Sequence, residues 1–187
     1  MRVIAGTAKG TRLGPVPPGA RPVSDRAREG LFSSLGDTVR HARGLDLYAG
    51  TGALGIEALS RGADHVVFVD RARAATDSIR RNLTLTRLLE QATVHRSEVL
   101  PFLRKGNHEG GAFDLVFCDP PYDLEGPGLE DVLSELASGW LRDPGWAVVL
   151  TRASETSTPV IPLHWRPRRR LRYGDSLLIV YQEDPWA

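Results

Sequence analysis

From Gly44 onward the chain alternates short apolar runs with amphipathic stretches, and this rhythm limits the fold more than any other feature. The runs 45–48, 65–70, 92–95, 113–119 and 146–151 have strand length and are rich in Val, Leu and Phe. Helical spacing between them predicts helices over 53–60, 72–88, 97–104 and 129–139. Apolar strands separated by amphipathic helices imply an α/β chain with a mostly parallel sheet covered on both faces. The rhythm then breaks. Residues 159–163 and 176–182 read as strands around an arginine-rich turn with no helix between them, so the sheet is expected to close with an antiparallel pair.

The first 44 residues follow another pattern. Four prolines in residues 15–22 mark an irregular connector. Before it, 2–5 and 11–13 can form a hairpin around Gly6 and Gly10. After it, Ser24 is placed to cap a helix over 24–35, in which Ala27, Leu31 and Leu35 recur every four residues. The chain is therefore divided at 1–22, a hairpin and connector, and 23–187, the main domain. Charge divides it in a similar place. Net charge is only +1, yet residues 1–44 carry eight Lys/Arg against three Asp/Glu. A basic segment on a mildly acidic body suggests a surface for a polyanion. Arginine abundance alone says little, because 22 of the 24 basic residues across the whole chain are Arg.

With 187 residues the chain can bury a core without staples, and its one cysteine, Cys118, excludes a disulfide framework. No apolar run reaches the ~20 residues of a membrane span, and the start MRVIAGTAKG has no signal-peptide core. A cytoplasmic, monomeric protein without membrane attachment is expected. The five histidines lack metal-ligand spacing, so no metal is expected.

Chemistry concentrates in two motifs. The first is Asp46-Leu47-Tyr48-Ala49-Gly50-Thr51-Gly52-Ala53-Leu54-Gly55, placed between a predicted strand and a predicted helix. Gly50, Gly52 and Gly55 spell G-x-G-x-x-G, and Asp70 follows 20 residues after Gly50 at the tip of the next strand. Glycines let backbone approach a ligand, and a carboxylate at that tip can accept hydrogen bonds from a ribose diol. An adenosine-like nucleoside fits. A pyrophosphate needs free helix-terminal N–H groups and no anion nearby, whereas Asp46 sits just before the glycines. This favours S-adenosylmethionine, which carries an ammonium and a sulfonium, over NAD or FAD. A glycine turn without a ligand is the remaining reading.

The second motif is Asp119-Pro120-Pro121-Tyr122, directly after a buried strand. Consecutive prolines cannot continue a strand and stiffen the turn. The turn aims the Asp119 carboxylate and neighbouring carbonyls into the crevice at the strand's carboxyl end, where open α/β sheets bind ligands. Tyr122 offers a face for stacking a base. An exocyclic nucleobase amine is a poor nucleophile because its lone pair is delocalised into the ring. Acceptors on its N–H hydrogens direct that lone pair toward an electrophilic methyl group, and positioning then supplies most of the acceleration.

D-P-P-Y at this place resembles the signature of amino methyltransferases that act on adenine N6, cytosine N4 or guanine N2. The segments at 21–35, 45–63 and 173–181 are similar to the RsmD family, and the likeness runs through nearly the whole chain. The resemblance implies a seven-stranded, Rossmann-like S-adenosylmethionine methyltransferase fold with a short N-terminal extension. It implies methylation of guanine N2 in 16S ribosomal RNA, on an assembled or assembling 30S particle. Carried over by position, Asp46, Gly50 and Gly52 would line the methionine part, Asp70 the ribose and Glu98 the adenine amine. Asp119, Pro120, Pro121 and Tyr122 would hold the guanine. Glu98 departs from the Asp common in the superfamily, and Tyr122 from the Phe of many relatives.

Arg21, Arg26 and Arg28, after the connector, are expected to clamp RNA phosphates while the D-P-P-Y pocket reads the base. The five arginines among 166–172 are the rival clamp. Cys118 and the four tryptophans read as packing residues. Three other functions stay in view: an adenine-N6 methyltransferase, an NAD-dependent oxidoreductase, and a non-catalytic RNA-binding protein on the same fold.

Overall fold

The computed structural model describes residues 1–16, 22–108, 111–121, 124, 126–156 and 159–184. Twelve main elements follow one another among them: α1 (Asp25–Leu35), β1 (Arg43–Leu47), α2 (Ala53–Ser60), β2 (His65–Asp70), α3 (Arg73–Thr86) and β3 (Ala92–Arg96). Then come α4 (Val99–Arg104), β4 (Leu115–Cys118), α5 (Pro127–Ala137), β5 (Ala147–Ala153), β6 (Trp165–Tyr173) and β7 (Ser176–Glu183). Short 3₁₀ turns lie at Gly36–Val39 and Leu89–Gln91. The strands form one sheet in the order β3-β2-β1-β4-β5-β7-β6. Pairing is parallel from β3 to β5 and antiparallel at β5–β7 and β7–β6. The α/β class and the antiparallel close read from the sequence are both present.

Strand alternation divides the core in two. One face buries Val66, Phe68, Phe117 and Val149 under α1, α2 and α3; the other buries Val67, Val69, Val116 and Val148 under α4 and α5. Strands covered on both faces explain the nearly continuous apolar runs. The tryptophans Trp140, Trp146 and Trp165 are buried, and the Trp146 and Trp165 rings lie 5.0 Å apart between centroids. Trp186 lies outside the described residues. No described helix is long and apolar enough to cross a membrane.

Every residue of α2 is buried, including Glu57. A helix buried all round needs a cover on its outer face, and the N-terminal segment supplies it. Residues 1–13 turn back on themselves through the Arg2–Arg12 bridge and the Val3 N–H to Thr11 carbonyl bond (3.0 Å). The backbone N–H groups of Ile4 and Ala5 donate to the Glu57 carboxylate at 2.8 and 3.0 Å, and Ala8 N–H donates to Ser60 Oγ at 3.0 Å. At Gly6 an added Cβ would fall 1.6 Å from the Ser60 carbonyl oxygen, so only glycine permits this approach.

Two expectations need correction. Residues 159–163, expected as a strand, are irregular, and the arginine-rich stretch expected as a turn is the edge strand β6. The turn is the two-residue Gly174–Asp175, with Gly174 at φ 57°, because Tyr173 pairs with Ser176. A run of cations reads as solvated chain, but long aliphatic stems let Arg occupy an edge strand, and Pro167 sits there at a bulge. The second correction is Arg28, which is fully buried rather than turned to solvent. Its guanidinium donates to the Arg2 carbonyl and to Asp25, both at 2.6 Å, and so holds α1 against the N-terminal segment. It cannot reach an RNA phosphate.

Candidate active site

The strand order reverses between β1 and β4, which opens a crevice at their carboxyl ends. A cavity of about 960 Å³ lies there. Its wall includes Asp46, Gly50, Asp70, Glu98, Asp119 and both prolines, Pro120 and Pro121. Both motifs therefore share one cleft.

Asp46 is buried at the end of β1, and its carboxylate accepts from Gly55 N–H at 2.9 Å. It therefore caps α2 from outside the helix, where Gly52 at the N-cap has no side chain to do so. Burial pushes its pKa well above the ordinary carboxylate range; the Gly55 bond opposes this and the charges of Asp119 and Asp70 add to it. A helix terminus already answered by a carboxylate is a poor seat for a pyrophosphate. The same carboxylate suits a cationic ligand.

Gly50 adopts φ 56° and donates its N–H to Asp70 Oδ2 at 2.9 Å, while Asp70 Oδ1 accepts from Ala72 N–H at 2.8 Å. Asp70 thus fixes the glycine loop, yet each oxygen keeps a lone pair for a diol. Gly52, at φ 76°, lies behind the wall, where an added Cβ would meet Ile79, Ile56 and Phe68 at 3.2–3.3 Å. Gly55 is tighter still: a Cβ would fall 2.3 Å from the Phe68 ring. These two glycines let α2 pack close to the sheet, and Gly50 shapes the cleft. Glu98 is exposed at the N-cap of α4, makes no side-chain cap hydrogen bond there, and lines the cleft.

Asp119 directly follows β4 and lies half-buried in the cleft wall. Burial raises its pKa to about 7, with the Thr151 hydroxyl beside it pulling the other way. The turn beyond it closes through Leu124 N–H on the Pro121 carbonyl at 2.9 Å, and buried Arg152 donates to the Leu124 carbonyl at 2.8 Å. Tyr122 lies outside the described residues, as does Arg21. Cys118 is fully buried, and burial raises its thiol pKa above the ordinary range, so its sulfur packs rather than reacts. Arg26 is exposed but lies off the cleft, on the rim formed by α1 and the β6–β7 turn.

Several contributors escaped the sequence. Val16, Pro22 and Val23 wall the cleft, which brings the connector to the site. Buried Asn82 in α3 joins two segments: its amide donates to the Thr51 carbonyl at 2.9 Å, and its oxygen accepts from Gly14 N–H at 2.8 Å. Asn82, between Ile79 and Leu83 on the buried face of α3, was the available signal for that link. Arg152, within an apolar strand, was another.

Known proteins are similar to this chain in sequence and in fold. A family described as Conserved hypothetical protein 95 matches residues 1–182. Ribosomal RNA small subunit methyltransferase D of Escherichia coli K12 is 35% identical over 187 residues, covering 98% of this chain and 90% of that one. The chain belongs to the RsmD family. The solved structure of Escherichia coli yhhF superposes with a TM-score of 0.84 at 35% identity over 98% of each chain. An S-adenosylmethionine-dependent methyltransferase from Agrobacterium tumefaciens shares the fold alone, with a TM-score of 0.65 at 17% identity over 88% of this chain and 63% of that one. The RsmD-family chain thus has the Rossmann-like methyltransferase fold, and S-adenosylmethionine is its cofactor.

Proposed function

We propose that this protein, an S-adenosylmethionine-dependent ribosomal RNA methyltransferase, transfers a methyl group to the exocyclic N2 amine of a guanine in 16S ribosomal RNA, on the assembled or assembling 30S particle in the cytoplasm. The observation that carries this reading is Asp119, set at the end of a double-proline turn, in the same cleft as the acid-flanked glycine loop. When bound, S-adenosylmethionine supplies the electrophilic methyl.

The chain's own residues do the rest. Asp46 and the Gly50 loop face the cationic methionine part, Asp70 accepts from the ribose hydroxyls, and Glu98 stands toward the adenine amine. Gly52 acts from behind by keeping the loop's shape. The Asp119 carboxylate accepts from the target amine and holds its lone pair toward the methyl group. A pKa near 7 also fits Asp119 to take the proton that the amine sheds. Pro120 and Pro121 hold that carboxylate still. Tyr122 stacks on the base, so Tyr122→Phe leaves turnover nearly intact and Tyr122→Ala does not. The base must leave its stack to enter, which favours a loop nucleotide over duplex.

The test uses methyl-labelled S-adenosylmethionine with unmodified 30S particles and with naked 16S ribosomal RNA, followed by identification of the methylated nucleoside. N2-methylguanosine, formed faster on particles, is expected. N6-methyladenosine would replace the guanine reading with the adenine one, and faster labelling of naked RNA would remove the particle as substrate.

A further inference from the structure

Several arginines elsewhere on the molecule are answered by acids. Arg61 pairs with Glu57, Arg73 and Arg80 with Asp77, Arg104 with Asp131 and Glu135, and Arg142 with Asp114. Edge strand β6 is different. Arg166, Arg168, Arg169, Arg170 and Arg172 are all exposed, and among the described residues none forms an ion pair. The two polar contacts they make are neutral: Arg168 with Gln182 at 3.1 Å and Arg172 with Ser154 at 3.3 Å.

The strand also points at the site. β6 runs antiparallel to β7, which runs antiparallel to β5, so its end at Tyr173 reaches the same side of the sheet as the cleft. There Ser24, Arg26, Arg172, Tyr173 and Gly174 line a second cavity of about 420 Å³. Pro22 and Val23, the two residues before Ser24, wall the catalytic cleft. Chain neighbours thus link the two hollows. Register places Arg170 and Arg172 opposite Ile179 and Leu177, on one face of the edge, spaced by about 6.6 Å along the strand.

We propose that the Arg26 rim and the β6 arginines form one basic track that carries the RNA backbone from the catalytic cleft along the sheet edge. The two clamps that the sequence sets apart, at 21–28 and 166–172, meet at Arg26 and Arg172. The proposal rests on the ribosomal RNA reading. Charge on an edge strand also guards against sheet-to-sheet pairing, but acids or mixed signs would serve that purpose equally, and this edge carries cations alone.

The test separates these roles. The full-length triple variant Arg168→Glu/Arg170→Glu/Arg172→Glu keeps a charged edge and reverses its sign; Arg73→Glu/Arg80→Glu/Arg81→Glu, on α3 by the opposite edge, makes the same change in net charge. The track predicts that the β6 triple binds 16S ribosomal RNA at least about tenfold more weakly and lowers the magnitude of the log–log salt slope by roughly 2. Calorimetric affinity for S-adenosylmethionine should stay at the wild-type value, and the α3 triple should change RNA binding much less. Equal weakening by both triples means general charge, and unchanged RNA binding by the β6 triple means edge protection only; either overturns the track. Failure of the methylation reading looks different: the wild type would label no ribosomal RNA yet still bind it through β6, leaving the track in place without the reaction.

Discussion

Glu57 is a fully buried carboxylate and Asp119 a half-buried one, and they differ in what answers them. Glu57 accepts from two backbone N–H groups and from Arg61 Nε at 2.7 Å. Asp119 has the Thr151 hydroxyl beside it and no cation among the described residues, and its proton affinity is raised to a pKa of about 7. The first is a joint of the fold, the second an acceptor left open toward the cleft. Burial alone does not separate structural acids from functional ones; the count of partners does.

The sharpest way to break the comparison is to remove the joint. Glu57→Ala leaves the Ile4 and Ala5 N–H groups and the Arg61 side chain without their acceptor. The expected cost is about 3–5 kcal/mol, seen as a drop in Tm of roughly 10 °C. Deleting residues 1–20 should be as damaging, because it uncovers α2 and strips Glu57 of both backbone donors. A truncated chain that melts like the full one would show that the N-terminal segment is an appendage rather than a cover. Asp119→Ala should do the opposite: turnover falls by on the order of 10²-fold or more, while cofactor affinity stays within about threefold. A comparable loss of cofactor affinity would move Asp119 from the target amine to the cofactor.

Asp70 stands between the two, since it holds the Gly50 loop and retains free lone pairs. Asp70→Ala should weaken S-adenosylmethionine binding by roughly 1.5–3 kcal/mol in calorimetry while the sheet remains folded. Unchanged affinity would make Asp70 a joint like Glu57.

The same contrast explains what could be read from the chain. Glycines, prolines and strand-tip acids announce themselves locally, so the 53–60 helix, the 65–70 strand and the acids of the cleft were legible from spacing. Contacts between distant segments were not. Glu57 looks like any helical acid until residues 4 and 5 arrive beside it, and Arg28 looks like a surface cation until its partner, the Arg2 carbonyl, is in place. The β6 strand was missed for a related reason: a hairpin's register is set by its turn, and Gly174–Asp175 was obscured by the stronger signal of five arginines.

The smallest expected effect concerns the cost of leaving Asp119 unanswered. A carboxyl whose folded pKa is raised from about 4 to about 7 holds its proton more tightly folded than unfolded. Its contribution to stability therefore falls as pH rises through that window, and the full penalty stands above pH 7. Asp119→Asn removes the ionisation, so the variant should be more stable than the wild type by about 1–3 kcal/mol at pH 8, with the gain shrinking steadily toward pH 5. Activity should run the other way. In the wild type, kcat/KM for RNA should fall as pH drops below about 7, because a protonated carboxyl has lost the acceptor that the amine requires; the residual activity of Asp119→Asn should lack this step. Denaturant melts at pH 5, 6.5 and 8 measure the first effect and a pH–rate profile the second. If Asp119→Asn is no more stable at pH 8 while the wild-type profile stays flat through pH 7, the Asp119 carboxylate is answered in the folded chain after all, and it belongs with Glu57 among the joints of the fold.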